Sequence, residues 1–345
     1  MNSNKNKQEI CIGFIGAGNH ATWTLYPSLQ YFPKVKLVSV CDLDERRAEA
    51  AKRRFGAERK YSDYQEMLEK ENLDALLCCS EPKLHSEVAQ VAIDRKIPLF
   101  LEKPSAPNSE IAKEIALSAK KNNAKVMVAF MHRFSTIVSW AKRAIDNPEF
   151  GNVMMLSAKE GIWATPAETL VLDSGIHHID LLRYLGGELN WLIASSSSDG
   201  DKRHGFAVHL NFLNGIVGSL DLNSLESLAT PSDTVSIYGN KGQWILLYNW
   251  GKATWYRDPT INSEVYCSPL ADPKNSTLVY EHSWTGAGIN KSIKTQGYVD
   301  EMAHFFKCVE EDIQPSPNLW DGYKAIQIVE AINKSAKSGE KIFIK

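Results

Sequence analysis

The sequence predicts a two-domain α/β protein: an amino-terminal doubly wound parallel sheet, then an α+β domain with a largely antiparallel, open sheet. Three observations predict it. The first 130 residues alternate short β-branched runs with longer amphipathic stretches, the pattern of strand, crossover helix and parallel strand. After about residue 150 the chain changes to longer strands joined by turns, with Asn214-Gly215 a strong hairpin signal. At roughly 150 residues per domain, 345 residues suggest about two domains. The boundary is placed between 132 and 133, giving domains 1–132 and 133–345, with a carboxyl-terminal helix able to pack back on the first.

The first-domain strands are expected at Ile10–Ile15, Val35–Cys41, Ala75–Ser80, Leu99–Glu102 and Lys125–Met131, with helices near His20–Tyr31, Glu45–Arg54, Leu84–Arg95 and Ser109–Lys121. In the last helix Ile111, Ile115 and Ala119 recur at spacing four and mark the face that packs on the sheet. A helix over Phe134–Asn147 follows. The second sheet takes Val153–Glu160, Phe206–Leu213, Ile216–Asn223, Thr234–Gly239 and Gln243–Leu247, and Ser195–Gly205 reads as a polar loop with nothing apolar to bury. From Asn249 to Gln296 tryptophans and tyrosines mix with Pro and Gly, and neither period is clear. Helices over Tyr298–Val309 and Trp320–Lys337 and a strand over Lys341–Ile344 end the chain.

Composition narrows the function classes. The chain is 43% hydrophobic and 23% charged, an ordinary globular balance, and 39 basic against 41 acidic side chains give a formal charge of −2. No basic excess exists to neutralise a phosphate backbone or an anionic membrane, so nucleic acid and lipid are not expected partners. Met1–Glu9 lacks the apolar stretch of a signal peptide and no later run approaches the ~20 apolar residues of a membrane span, so a cytoplasmic protein with reduced thiols is expected.

Gly16-Ala17-Gly18-Asn19-His20-Ala21 follows a predicted strand and opens a predicted helix, the context in which a GxGxxA loop cradles a dinucleotide. Gly16 permits the tight turn, Gly18 lets backbone approach a pyrophosphate, and Ala21 keeps helix and strand close. Asp42 ends the second strand, near the distance at which an acid accepts hydrogen bonds from the adenosine ribose. That carboxylate repels a 2′-phosphate, so NAD is favoured over NADP, although Arg46 and Arg47 could partly compensate. Capping of the helix near Glu45 is the alternative role for Asp42. Ser80, Glu81 and Pro82 occupy the next strand end, where the nicotinamide half would run.

Glu102-Lys103-Pro104 closes a further strand, and Pro104 turns the chain so that Lys103 is held at the sheet's carboxyl edge. In Asp173-Ser174-Gly175-Ile176-His177-His178-Ile179-Asp180 the apolar residues predict a helix starting here. Asp173 and His177 then lie roughly 40° apart on one face, at about 100° per residue. His178 points elsewhere and reads as a structural hydrogen-bonder, as does Asp180. No metal is expected, because adjacent helical histidines diverge and no third ligand stands at a recognised spacing.

Taken with Arg133-Phe134, Trp320-Asp321-Gly322 and Glu330-Ala331-Ile332, these motifs make the chain resemble, over nearly its whole length, the glucose-fructose oxidoreductase and inositol dehydrogenase family (Gfo/Idh/MocA). The resemblance implies that Lys103, Asp173 and His177 are catalytic and line the substrate cleft. Lys103 and His177 would then converge on one carbinol beside the nicotinamide. It implies that Asn19, His20, His85, Glu102 and Lys103 join Gly16, Gly18, Asp42, Ser80, Glu81 and Pro82 around the cofactor, and that Arg133 lies near substrate. Trp163 could stack on a sugar face. The segment Met131-His132-Arg133-Phe134 departs from the tyrosine or asparagine and paired arginines common in the family, leaving His132 to touch ligand or only pack.

The implied activity is NAD-dependent hydride transfer at a secondary hydroxyl of a sugar, inositol, sugar acid or nucleotide sugar, by a homodimer or homotetramer built through the second sheet. Two alternatives are an NAD-using glycoside hydrolase or lyase with transient oxidation, and a non-catalytic sensor of cofactor or sugar on the same fold.

Overall fold

The structure, a computed structural model, describes residues 9–163, 165–227, 232–257, 277–281 and 293–345. The chain divides into two compact units, one formed by 1–131 with 297–327 and the other by 132–296 with 328–345.

In the first unit six parallel strands are ordered β3-β2-β1-β4-β5-β6. They are β1 Ile10–Ile15, β2 Val35–Cys41, β3 Arg59–Tyr61, β4 Ala75–Cys78, β5 Leu99–Leu101 and β6 Val126–Val128. This is the order of a doubly wound dinucleotide fold, whose crevice opens where it reverses, between β1 and β4. The central strands are nearly continuous hydrophobic runs because helices cover both faces of a parallel sheet. The helices between them are set by local chemistry. Asp44 caps Glu45–Phe55 by accepting from Arg46 N, Gly56 ends it at φ 77°, and Asn108 caps Ser109–Asn122 by accepting from Ile111 N. Ile115, Ala116 and Ala119 on that last helix are buried. After Gly297 the chain re-enters this unit, and Phe305 of the helix Tyr298–Glu311 sets its ring edge-on to Phe100 of β5, 5.7 Å between centroids.

The second unit holds a nine-stranded sheet, β14-β13-β12-β11-β7-β10-β9-β8-β15, antiparallel throughout except for β7 beside β10. Its strands are β7 Val153–Gly161, β8 Leu189–Ser198, β9 His204–Phe212, β10 Val217–Asn223, β11 Asp233–Gly239, β12 Trp244–Tyr248, β13 Lys252–Tyr256, β14 Thr277–Glu281 and β15 Ile342–Phe343. One face carries Leu156, Ala158, Val208, Leu210, Leu220, Leu222, Val235 and Ile237, all buried. Helix Thr136–Ile145 packs on β12 and β13, and helix Ile176–Gly186 on β7. At about 1.5–3 kcal/mol per large apolar side chain, this buried face is the main source of the unit's stability. Gly186 permits the close approach, since a Cβ there would lie 2.7 Å from Leu156 Cδ1.

Several expectations change. Ser195–Ser198 is strand, not loop: these serines extend β8 in register with His204–Ala207, and the connecting turn is only 199–203. Backbone pairing along a hairpin needs no apolar side chains, so polarity misled the reading there. Strands β3, β13 and β14 and the helix Tyr64–Lys70 carry no clear period in sequence and were not anticipated. Of the aromatic stretch 249–296, residues 258–276 and 282–292, with Trp284, lie outside the described residues. Among the described residues no helix is long and apolar enough to cross a membrane.

One buried ion pair organises the second unit. Asp180, on the helix Ile176–Gly186, accepts from Nε and Nη2 of Arg133 at 2.7 and 2.6 Å, with both side chains almost fully buried. Asp180→Asn leaves Arg133 charged without its carboxylate. Urea unfolding is expected to show a loss of about 3–5 kcal/mol, and a loss below about 1 kcal/mol would show the pair to be dispensable.

Candidate functional site

The dinucleotide side is built within the first unit. Gly16 has φ 98°, and a Cβ there would fall 1.9 Å from the Cys79 carbonyl oxygen, so only glycine fits the turn. At Gly18 a Cβ would meet nothing within 4 Å, leaving open backbone where a pyrophosphate must approach. Ala21 is wholly buried, as its helix-to-strand spacing role requires.

Asp42 does more than the spacing suggested. Its Oδ2 accepts from Ala17 N at 2.8 Å and its Oδ1 from Asp44 N at 2.9 Å, so one carboxylate ties the glycine loop to the segment entering the next helix. The cap itself is Asp44, which corrects the alternative role considered for Asp42. Each Asp42 oxygen keeps a further lone pair for a ribose hydroxyl. A cavity of about 700 Å³ opens beside it, lined among others by Gly16, Leu43, Tyr64, Ser80, Glu81 and Leu84. Asp42, Asp44, Asp63 and Glu81 face Arg47 as the one cation in that lining, a balance that suits a ribose diol better than a phosphate monoester. Arg46 is turned to Asp44 instead, and that hydrogen bond holds the Asp44 carboxyl below its ordinary value. These residues fit NAD.

The Glu102-Lys103-Pro104 turn is fixed from below. His85 is completely buried; its Nε2 accepts from Ser80 N and its Nδ1 donates to Pro104 O, both at 2.8 Å. Burial pushes its pKa down, consistent with a neutral ring of that tautomer. His85 therefore ties two strand ends together, Ser80 at the cavity beside Asp42 and the Pro104 turn. Glu102 is also buried: Oε2 accepts from Lys103 N at 3.0 Å and Oε1 lies 3.2 Å from His20 Nε2. Burial opposes the charge on Glu102, but His20 outweighs it and the carboxyl titrates below its usual value. Burial likewise opposes protonation of His20, and Glu102 reverses it. Glu102 thus ties the Lys103 turn to the glycine loop through His20. Lys103 is half-buried, Ser80 and Glu81 are exposed, and Pro82 opens the helix Pro82–Arg95.

The second unit carries the remaining candidates. Residues Leu170–Gly175 form a π-helical turn that leads into the helix Ile176–Gly186. The regular 100° spacing expected between Asp173 and His177 does not hold across that wider turn. Gly175 explains the motif's glycine, since a Cβ there would strike Leu222 Cδ1 at 2.4 Å. Asp173 is exposed and His177 half-buried. Arg133, expected near substrate, is buried, donates from Nε and Nη2 to Asp180 and stacks over Tyr184. Trp163 stands just past β7 and is more than half exposed.

Around His178 the structure reveals a cluster that sequence reasoning missed. Glu160 of β7 and Asp233 of β11 are paired in register on neighbouring strands, two carboxylates side by side. His178 lies wholly buried between them, with Nδ1 3.3 Å from Glu160 Oε2 and Nε2 2.8 Å from Asp233 Oδ1. Burial alone would lower its pKa, but Asp233 and then Glu160 overcome that and raise it to about 10. These three could in principle hold a metal ion. Nε2 is hydrogen-bonded to Asp233, while Nδ1 lies at ion-pair distance from Glu160 Oε2 without a hydrogen bond, and two carboxylates about one imidazole match a protonated ring. Trp250 adds an Nε1–H donor to Asp233 Oδ2 at 2.5 Å and stacks on His132, whose ring centroid is 4.9 Å from that of His177. Only the strand register brings these residues together, and no local signal announces it.

The His178 proton stabilises the folded chain fully below its unfolded pKa of about 6.5, and that contribution is lost as pH rises toward and through about 10. Urea unfolding between pH 6 and 10 should show wild type losing more stability than His178→Gln. Parallel curves would contradict a charged His178.

Comparison with known proteins agrees with this architecture. A family model described as an oxidoreductase family, NAD-binding Rossmann fold, matches residues 10–130, and its companion, the C-terminal alpha/beta domain of that oxidoreductase family, matches 142–344. The chain is 25% identical over 339 residues to a myo-inositol 2-dehydrogenase of Thermotoga maritima, covering 94% of this chain and 95% of that one. It is 26% identical over 393 residues to a levoglucosan dehydrogenase of Pseudarthrobacter phenanthrenivorans, covering 95% and 96%. A solved dehydrogenase from Chromobacterium violaceum superposes with a TM-score of 0.84 at 19% identity, over 96% of this chain and 97% of that one, a likeness of fold. The glycine loop, its Asp42 tether and a two-part match over nearly the whole chain have one reading: the protein belongs to the glucose-fructose oxidoreductase and inositol dehydrogenase family of NAD-binding oxidoreductases.

Proposed function

We propose that the protein is an NAD-dependent dehydrogenase that oxidises a secondary hydroxyl of a sugar, inositol, sugar acid or nucleotide sugar, or reduces the matching ketone. The observation that carries this reading is the anchoring of the Lys103 turn to the dinucleotide loop. Glu102 binds His20 of the loop and His85 locks Pro104 to Ser80, so Lys103 leaves the strand edge where the nicotinamide half of a dinucleotide runs. The printed names of the relatives, inositol and levoglucosan dehydrogenases, support a polyol or sugar as substrate.

NAD, held by the Gly16–Gly18 loop and Asp42, would supply the hydride acceptor. In the proposed roles His177 takes the hydroxyl proton, since a neutral imidazole is a base suited to the working pH. Lys103 donates to the same oxygen and stabilises its developing negative charge. Asp173 orients the sugar ring or the imidazole, and Trp163 offers an aromatic face to the sugar. A homodimer or homotetramer through the second sheet is supported by its open face, where Met155, Tyr238 and Tyr248 are exposed and Tyr238, Trp244 and Tyr256 stack in a row. A cytoplasmic setting suits an enzyme that draws on the NAD pool.

A panel of polyols, sugars and nucleotide sugars with NAD, followed by nicotinamide absorbance, tests the reading. Lys103→Ala and His177→Ala are each expected to cut turnover on the best substrate at least ~10²-fold while leaving NAD affinity within a few-fold. Near-normal turnover in either variant removes that residue from its role.

A further inference from the structure

We propose that Trp250 and His132 form a positioning pair that sets the ring of His177, an inference that rests on His177 being the proton acceptor. The starting point is a turn whose sequence goes against its shape. Asn249 and Trp250 join β12 to β13 with φ of 46° and 55°, and Gly251 N closes the turn on Tyr248 O at 3.2 Å. Two successive left-handed residues favour Asn-Gly, and a bulky aromatic at the second position costs on the order of 1–2 kcal/mol. Such cost persists where the side chain is needed in that place.

The surroundings show what the indole does. Asn249 fastens the turn to β11: its Oδ1 accepts from Asp233 N and its own N donates to Asp233 O. Trp250 Nε1–H donates to Asp233 Oδ2, while Asp233 Oδ1 is held by the buried His178, itself held by Glu160. With its edge fixed in this way, the indole lays its face on His132, ring centroids 3.7 Å apart and planes 10° from parallel. His132 is buried, and its ring meets those of His177 at 4.9 Å and His178 at 5.8 Å. The chain of contacts therefore runs from Glu160 through His178, Asp233, Trp250 and His132 to His177, entirely inside the second unit.

The chemistry follows from this order. The Glu160–His178–Asp233 cluster holds in place the carboxylate to which the indole is tied. The indole face fixes the plane of His132, and the His132 ring in turn limits the orientations open to the ring of His177. The departure of Met131-His132-Arg133-Phe134 from the family's paired arginines then has a use: an imidazole can lie flat beneath an indole and still meet the ring of His177.

The test compares Trp250→Ala, His132→Phe, their double variant and His177→Ala, each confirmed as folded by thermal melting. Trp250→Ala and His132→Phe should each lower kcat about 10- to 100-fold, leave the KM for NAD within about threefold, and move the acid limb of the kcat–pH profile. The double variant should be no worse than the more damaged single variant, because both break one unit. Wild-type kcat and pH profile in either single variant, or multiplied losses in the double, overturn the proposal. If Trp250→Ala does not fold, Trp250→Leu carries the same expectations and the same refutation. Retained turnover in His177→Ala would instead defeat the functional reading. Indole emission separates the two cases without any substrate: His132→Phe should brighten the emission, which an imidazole stacked on the indole quenches, and unchanged emission would show that the stack does not exist.

Discussion

Three buried charged groups, Asp180, His178 and Glu102, each meet partners from a distant part of the chain, and the segments of the candidate site are hung on those meetings. Asp180 with Arg133 ties the start of the second unit to the helix that carries His177. His178 between Glu160 and Asp233 relieves what would be two facing carboxylates on adjacent strands. Glu102 with His20 joins the lysine turn to the glycine loop. Desolvating any of these groups alone would cost several kcal/mol, so each pair restricts the backbone to the arrangement in which its partner arrives. Rigidity at the site and satisfaction of buried charge are here the same requirement.

That requirement explains which parts of the architecture could be read from sequence. Ile10–Ile15 and Val35–Cys41 are legible to the residue because a strand covered on both faces must be apolar along its length. Arg59–Tyr61 is not legible, since an edge strand of three polar residues is held by its backbone bonds to β2 and by side-chain bonds to distant acids such as Glu71. Ser195–Ser198 misleads for the same reason, with β9 supplying the pairing that the side chains do not reveal. The Asn214-Gly215 turn succeeds because its chemistry is local: Gly215 takes φ 89°.

The candidate site divides along the same line. Gly16 and Asp42 announce themselves, since a tight turn and a strand-end acid are features of neighbouring residues. The second job of Asp42, binding Ala17 N, needs the fold to appear, as does the burial of His85 and Glu102 behind the residues they steady. Arg133 and His178 show the limit most clearly. From sequence Arg133 is a cation beside the candidate motif and His178 a structural hydrogen-bonder, and only the register of β7 with β11 and the course of one helix show which groups each one meets. A Trp in a left-handed turn is likewise unremarkable until the face of its indole is found on His132.

The central claim is direct transfer of hydride from a substrate carbinol to NAD. The measurement that addresses it most directly uses a turned-over sugar or polyol deuterated at the oxidised carbon, with the nicotinamide recovered and examined by mass spectrometry. The account predicts one deuterium in each reduced nicotinamide and a slower chemical step than with the unlabelled substrate. Product formed with no deuterium in the cofactor would contradict it.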